Sequence, residues 1–292
     1  MLVAPVVLLA SGIDAAAKGK MTLCMHSNTT SAGYRPALEG WAKAGIKLVE
    51  LNAPFIEAFV KTDTLDGAKK VLADNGLTLV HGAVGVNGLF EPNPNHATAM
   101  ENLKRRLELF ASLGVKKVYM TSAAQDKLTE DGYQTVVDHM RMVGDAAKSF
   151  NMTFSVEFVR SSPYMSTLLT ALKLTREAAH PNFGVMFDFY HFWSGTNRLE
   201  DMDQIRKGEI NHAHFQDVPD MPRELLDNNT RIIPGDGVAP VVPTLQKLAD
   251  KDYAGPLSVE LFLPKFRDGN PYEVATEIRR KCETVMRRAK VL

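Results

Sequence analysis

Two well separated stretches, FSVEF at 154–158 and LSVELF at 257–262, each set a glutamate, Glu157 or Glu260, inside an otherwise apolar run. A carboxylate is rarely buried in such a run unless something pairs with it. Two further runs, FGVMFDF at 183–189 and INHAHFQ at 210–216, carry Asp188 and His214 towards their ends. Taken singly, each of these four residues reads as an ordinary core or surface side chain. Taken together, they close four successive apolar runs with a group able to hold a metal. Three converging carboxylates would repel one another in a low dielectric unless protons or a cation intervened. One divalent ion removes the conflict. Oxygen-rich ligation with a single imidazole suits Mn²⁺, Zn²⁺, Mg²⁺ or Co²⁺.

Such convergence needs a scaffold that brings run ends together. Eight strand-length runs occur, at 21–26, 46–52, 77–84, 115–122, 152–158, 183–189, 210–216 and 256–262. Longer segments of helical period separate them, as at 96–113, where Leu103, Leu107, Phe110 and Leu113 recur at spacings of three and four. Gly45, Gly76 and Gly114 stand just before strands, where a left-handed cap ends a helix. Eight strands alternating with helices predict an α/β (β/α)₈ TIM barrel forming a single domain over 21–292, with 1–20 as an N-terminal extension. The alternative, an open doubly wound sheet, usually carries a GxGxxG turn, and none follows a strand here.

A barrel of this kind builds its active site at the carboxyl ends of its strands. Alternation places Thr153, Ser155 and Glu157 on one face, Ser258 with Glu260 on another, and His212, His214 and Gln216 on a third. His191, three residues beyond Asp188 in DFYHFWSG, would lie beside the metal and touch substrate oxygen. Phe189, Phe192 and Trp193 would wall the pocket. The long segment 217–237 is of a length that usually carries function, and its Arg231 could hold a hydroxyl or a developing enolate oxygen. Glu50 and His81, ending the second and third strands, could bind substrate from the opposite wall.

Composition narrows the partners. The chain has 292 residues, 45% hydrophobic, with 34 basic and 34 acidic side chains. That balance gives no net field towards nucleic acid or an anionic membrane, so a small molecule is the expected partner. Cys24 and Cys282 form no metal-ligand spacing and read as reduced thiols. LVAPVVLLA at 2–10 is too short to span a bilayer and has no Lys or Arg before it. The extension therefore reads as an appendage of a cytoplasmic protein, with an export-signal remnant as the alternative.

The order Glu157, Asp188-x-x-His191, His214, Arg231-x-x-Pro-Gly-x-Gly, Glu260 resembles the xylose isomerase-like barrels of sugar isomerases and epimerases. DVPDMPRELLDNNTRIIPGDG and SVELFLPKF are most similar to bacterial inosose (2-keto-myo-inositol) isomerases. The resemblance spans residues 21–290. It implies a divalent metal held by Glu157, Asp188, His214 and Glu260, with His191 and Arg231 on substrate oxygens. It also implies catalysis by Glu157 and Glu260. They would pass a proton through an enediolate of a keto-sugar or cyclitol, in carbohydrate metabolism such as inositol catabolism. Barrels of this kind often pair as homodimers. Dehydratases of inosose or dehydroshikimate resemble the same family and are the nearest alternative. Endonuclease IV shares the D-x-x-H but needs further histidines, which the loop DNNTRIIPGDG lacks. A non-catalytic sugar-binding protein on the same scaffold is the third reading.

Overall fold

The computed structural model describes residues 19–292. The expected N-terminal extension, and with it the question of an export signal, lies almost wholly outside the described residues. Eight parallel strands close into one barrel in chain order. They are β1 (Thr22–His26), β2 (Leu48–Asn52), β3 (Thr78–Ala83), β4 (Lys117–Thr121), β5 (Thr153–Glu157), β6 (Phe183–Asp188), β7 (Ile210–His214) and β8 (Pro256–Val259), with β8 pairing back to β1. All eight expected runs contain a strand, each shorter than its run. Among the described residues no helix is long and apolar enough to cross a membrane.

The helices between strands follow from local signals. Thr129 caps the helix Glu130–Ser149 by accepting from the Gly132 N–H, and Glu130 and Asp131 sit in its positive first turn. The helix His96–Ser112 buries Leu103, Leu107 and Phe110 as its spacing predicts. Gly114, at φ +78°, reverses the chain into β4 in a conformation that costs a β-carbon dearly. Between helices and sheet lies a continuous apolar layer that includes Trp41, Leu107, Phe110, Val137, Leu172 and Ile278.

The barrel interior is different. His81 on β3 stacks on His212 of β7 with ring centroids 3.9 Å apart. Those strands are not neighbours, so the contact runs through the inside of the barrel. His26, Glu50, His81, Ser155, His212, His214 and Ser258 are all fully buried. Two register shifts arrange this layer. One, between Val49 and Glu50, sets Glu50 opposite His81. The other, between Val185 and Met186, sets Asp188 opposite His214. Bulges of this sort re-aim side chains next to sites.

Candidate active site

Glu157 ends β5, Asp188 ends β6, His214 ends β7, and Glu260 follows β8 by one residue. One ligating atom from each lies within 4.8 Å of the others. His214 Nδ1 is at the centre, 3.4 Å from Glu157 Oε1, 3.3 Å from Asp188 Oδ2 and 3.4 Å from Glu260 Oε2. Both His214 Nδ1 and Glu157 Oε1 are buried without a hydrogen-bond partner. Burial opposes charge on His214, yet the carboxylates of Glu50, Glu260 and Glu157 hold its imidazole well above its ordinary value. The position draws positive charge. Three carboxylates around an imidazole nitrogen, with two orphaned atoms facing inward, fit a divalent ion.

The surrounding groups treat the carboxylates unequally. Arg231 Nη1 donates to Asp188 Oδ2 at 3.1 Å and pairs closely with Glu260 Oε2. Asn28 Nδ2 donates to Glu260 Oε1 at 2.9 Å, and Gln216 Nε2 to Asp188 Oδ2 at 3.0 Å. Burial is the largest single influence and would raise Asp188 and Glu260, but Arg231 and the neighbouring His214 together hold both carboxyls below the ordinary range. Glu157 forms no ion pair with an arginine among the described residues, and burial outweighs His214 and pushes its carboxyl up to about 8. Asp188 also caps the short helix Phe189–Ser194, its Oδ1 accepting from the His191 N–H at 2.6 Å.

His191 and Arg231 were both expected at substrate, and both line a cavity of about 760 Å³ above the cluster, together with Asn28, Asn52, Tyr119, Glu157, Arg160, Tyr190, Asn228, Glu260 and Phe262. Arg231 is 2% exposed and sandwiched between the Tyr190 and Phe262 rings, at 4.6 and 5.0 Å. Its donors already serve Asp188, Glu260, Asn228 and, at 3.0 Å, His191 Nε2. It clamps the carboxylates as well as facing the cavity. Burial drives the His191 imidazole down to about 4, so it is neutral.

Glu50 and His81 lie elsewhere than the sequence suggested. Neither lines the cavity: both are fully buried one layer below it. Glu50 Oε1 accepts from His214 Nε2 at 3.1 Å, and Oε2 from His212 Nε2 at 2.6 Å. The physical reason is the inward pleat of β2, which points Glu50 at the underside of His214 rather than up at a ligand. A carboxylate on one imidazole nitrogen fixes which nitrogen faces the metal. Phe189 and Phe192 also differ from expectation: they pack into the core with Phe187 and Phe215. Trp193 stacks on Arg223, and Tyr190 and Phe262 form the aromatic wall instead.

Four contributors escaped the sequence reading. His26 ends β1, where the strand-end rule points directly at it, and lies 3.7 Å from Glu260. Tyr119, inside β4, reaches His26 Nε2 with its hydroxyl at 3.3 Å. Asn28 follows β1 and has no pattern of its own. Asp217 organises the long loop: its carboxylate accepts the N–H groups of Val218, Gly235, Gly237 and Ala239. With the Asp217–Ile232 bridge, this fixes Arg231. A β-carbon on Gly237 would meet the Val218 carbonyl at 2.1 Å, so the turn admits only glycine there.

Comparison with known proteins agrees with the barrel fold. Inosose isomerase of Bacillus licheniformis is 27% identical over 285 residues, covering 91% of this chain and 97% of that protein. 3-Dehydroshikimate dehydratase of Pseudomonas putida is 27% identical over 171 residues, 58% of this chain but 27% of that larger protein. The solved structure of the IOLI protein with a binding zinc atom superposes with a TM-score of 0.85 at 22% identity, covering 92% of this chain and 99% of that one. Residues 38–284 match the sequence pattern of one family across most of the barrel, and the chain belongs to the xylose isomerase-like TIM barrel family.

Proposed function

We propose that the protein isomerises or epimerises a keto-sugar or keto-polyol with the help of one divalent metal, and that Glu157, Asp188, His214 and Glu260 would hold that metal. The observation that carries this reading is the four-residue cluster at the cavity floor, with glutamates arriving from two non-adjacent strands, β5 and β8. A divalent ion supplies Lewis acidity, which lowers the cost of removing a proton beside a carbonyl. Glu157 and Glu260 enter from different sides, so one can take the proton while the other returns it to the neighbouring carbon or the opposite face. Arg231 and Asn28 hold Glu260 in place. His191, being neutral, can donate to or accept from a substrate hydroxyl. Tyr190, Phe262 and the ordered 217–237 loop exclude water from the proton transfer.

The similarity to inosose isomerases and to a dehydroshikimate dehydratase supports proton abstraction beside a carbonyl. Elimination is the rival outcome of that same first step. The test is elemental analysis of the purified protein and of His214→Ala, with solvent-deuterium incorporation into 2-keto-myo-inositol and ketohexoses. About one divalent ion per chain, lost in the variant, with deuterium entering product of unchanged mass otherwise, is expected. Loss of water from the product would turn the reading to a lyase. Absence of any bound ion after supplying Mn²⁺ or Zn²⁺ would sink it.

A further inference from the structure

The cavity contains two arginines, and they are not equivalent. Arg231 is enclosed and neutralised by Asp188 and Glu260. Arg160 is half-buried in the cavity wall, three residues beyond Glu157. Its Nη1 donates to the Leu226 carbonyl, which spans the guanidinium from the loop after β5 to the loop after β7. Among the described residues no carboxylate forms an ion pair with it, and that carbonyl is the acceptor its side chain reaches. Asp227, also on the cavity wall, is exposed and turns its Oδ1 to the Asn229 N–H instead. Arg160 is therefore a full positive charge in the cavity wall, satisfied by one neutral acceptor.

Its position is fixed relative to the reacting centre. The Arg160 backbone nitrogen lies 3.4 Å from His191 Nδ1, and His191 Nε2 is 4.0 Å from Glu157 Oε1. Asn28, Asn52, Ser161 and Asn228 supply the mixed donors and acceptors that neutral hydroxyls require. Arg160 adds a full positive charge, which a neutral polyol does not require. A guanidinium has donors only, in a planar fork that matches carboxylate or phosphate oxygens, and it remains charged at any working pH. The cavity, at about 760 Å³, has room for such a group beside a six-carbon ring or chain.

We propose that the substrate is a hydroxy-ketone bearing an oxyanion group, carboxylate or phosphate, which Arg160 binds while the carbonyl end sits over Glu157 and Glu260. This deepens the proton-transfer reading and rests on it for the placement of the carbonyl. It holds whether the reaction ends in isomerisation or elimination, because Arg160 acts on the remote substituent and not on the proton.

The test pairs each anionic probe with a neutral counterpart: 3-dehydroshikimate with its methyl ester, and D-fructose 6-phosphate with D-fructose. Binding to the metal-loaded protein is measured by calorimetry, and proton transfer by deuterium uptake from solvent. Wild type is expected to bind one anionic probe about ten- to a hundredfold more tightly than its neutral partner. Arg160→Gln should remove that preference while leaving affinity for the neutral partner within about threefold, and Arg160→Lys should restore part of it. A preference in the first pair identifies a carboxylate, and in the second a phosphate. Equal binding of both members of each pair, an undiminished preference in Arg160→Gln, or binding of neither anion overturns the proposal. Arg160-dependent binding without deuterium uptake on any probe would retain the anionic class and defeat the proton-transfer reading. Uptake on the neutral probes by a wild type that prefers neither anion would do the reverse.

Discussion

The sheet of this barrel has two sides that obey different physics. Its outer face, under the helices, is an apolar layer in which Leu107, Phe110, Val137 and Leu172 are 2% exposed or less. Its inner face, at the carboxyl end, is a polar layer of His26, Glu50, His81, His212 and His214, equally buried. The outer layer is held by area removed from water, and any well-packed hydrophobe of the right size serves. The inner layer is expensive to bury and is held by pairing: Glu50 sits below His212 and His214, while Arg231 joins Asp188 to Glu260. Stability resides in the first layer and chemistry in the second. Mutations should separate them.

The largest effect is expected from Glu157→Gln and Glu260→Gln. Each keeps the side-chain volume but removes a charge from the proposed metal site and a proposed proton acceptor, so turnover should fall by about 10²–10⁴-fold. Thermal unfolding of metal-free Glu157→Gln should move little, or upward, because one of three crowded carboxylates is gone, whereas Glu260→Gln should unfold earlier because the buried Arg231 loses an ionic partner. A large loss of stability in Glu157→Gln would contradict the separation of layers.

Phe110→Ala is the mirror-image experiment. The ring packs over Gly82, where a β-carbon would come within 2.4 Å of it, so Gly82 has no side chain to fill the space it leaves. Unfolding free energy should fall by about 3–5 kcal/mol, measured by denaturant titration. Metal content per folded chain should stay at the wild-type value.

Glu50→Gln tests the link between the layers at smaller scale. Glutamine keeps an acceptor for His214 Nε2 but loses the charge that supports the imidazole as a ligand. Metal affinity should drop by about 10–100-fold, read by competition with a chelating dye. Should affinity stay unchanged, Glu50 would only fill space.

The same contrast explains what the sequence could disclose. Leu103, Leu107 and Phe110 announce a buried helix face because burial against a sheet imposes a period, and all eight strands were legible for the same reason. Glu157, Asp188, His214 and Glu260 were legible because charges are out of place at the ends of apolar runs. Glu50 and His81 were noticed, yet nothing local says whether a strand-end residue points up at a ligand or sideways at another strand's histidine. That depends on register, and here on the shifts at Val49/Glu50 and Val185/Met186, which no single segment encodes. Asn28, Tyr119 and Arg160 belong to loops or strands whose roles arise only once the barrel closes.

The smallest effect, and the most discriminating about the inner layer, concerns Ser155. Its Oγ is fully buried on the face that carries Glu157 and has no hydrogen-bond partner. Removing an unsatisfied hydroxyl should be neutral or stabilise by up to about 1 kcal/mol, so Ser155→Ala should unfold at or slightly above the wild-type temperature. Metal content and turnover should hold, since Ser155 is not among the cluster's ligands. A destabilisation beyond about 1 kcal/mol would mean that the hydroxyl holds a buried water. The inner layer would then be a hydrated network extending below the four-residue cluster, and the dry, pairwise account given for Glu50 would need water as a further partner.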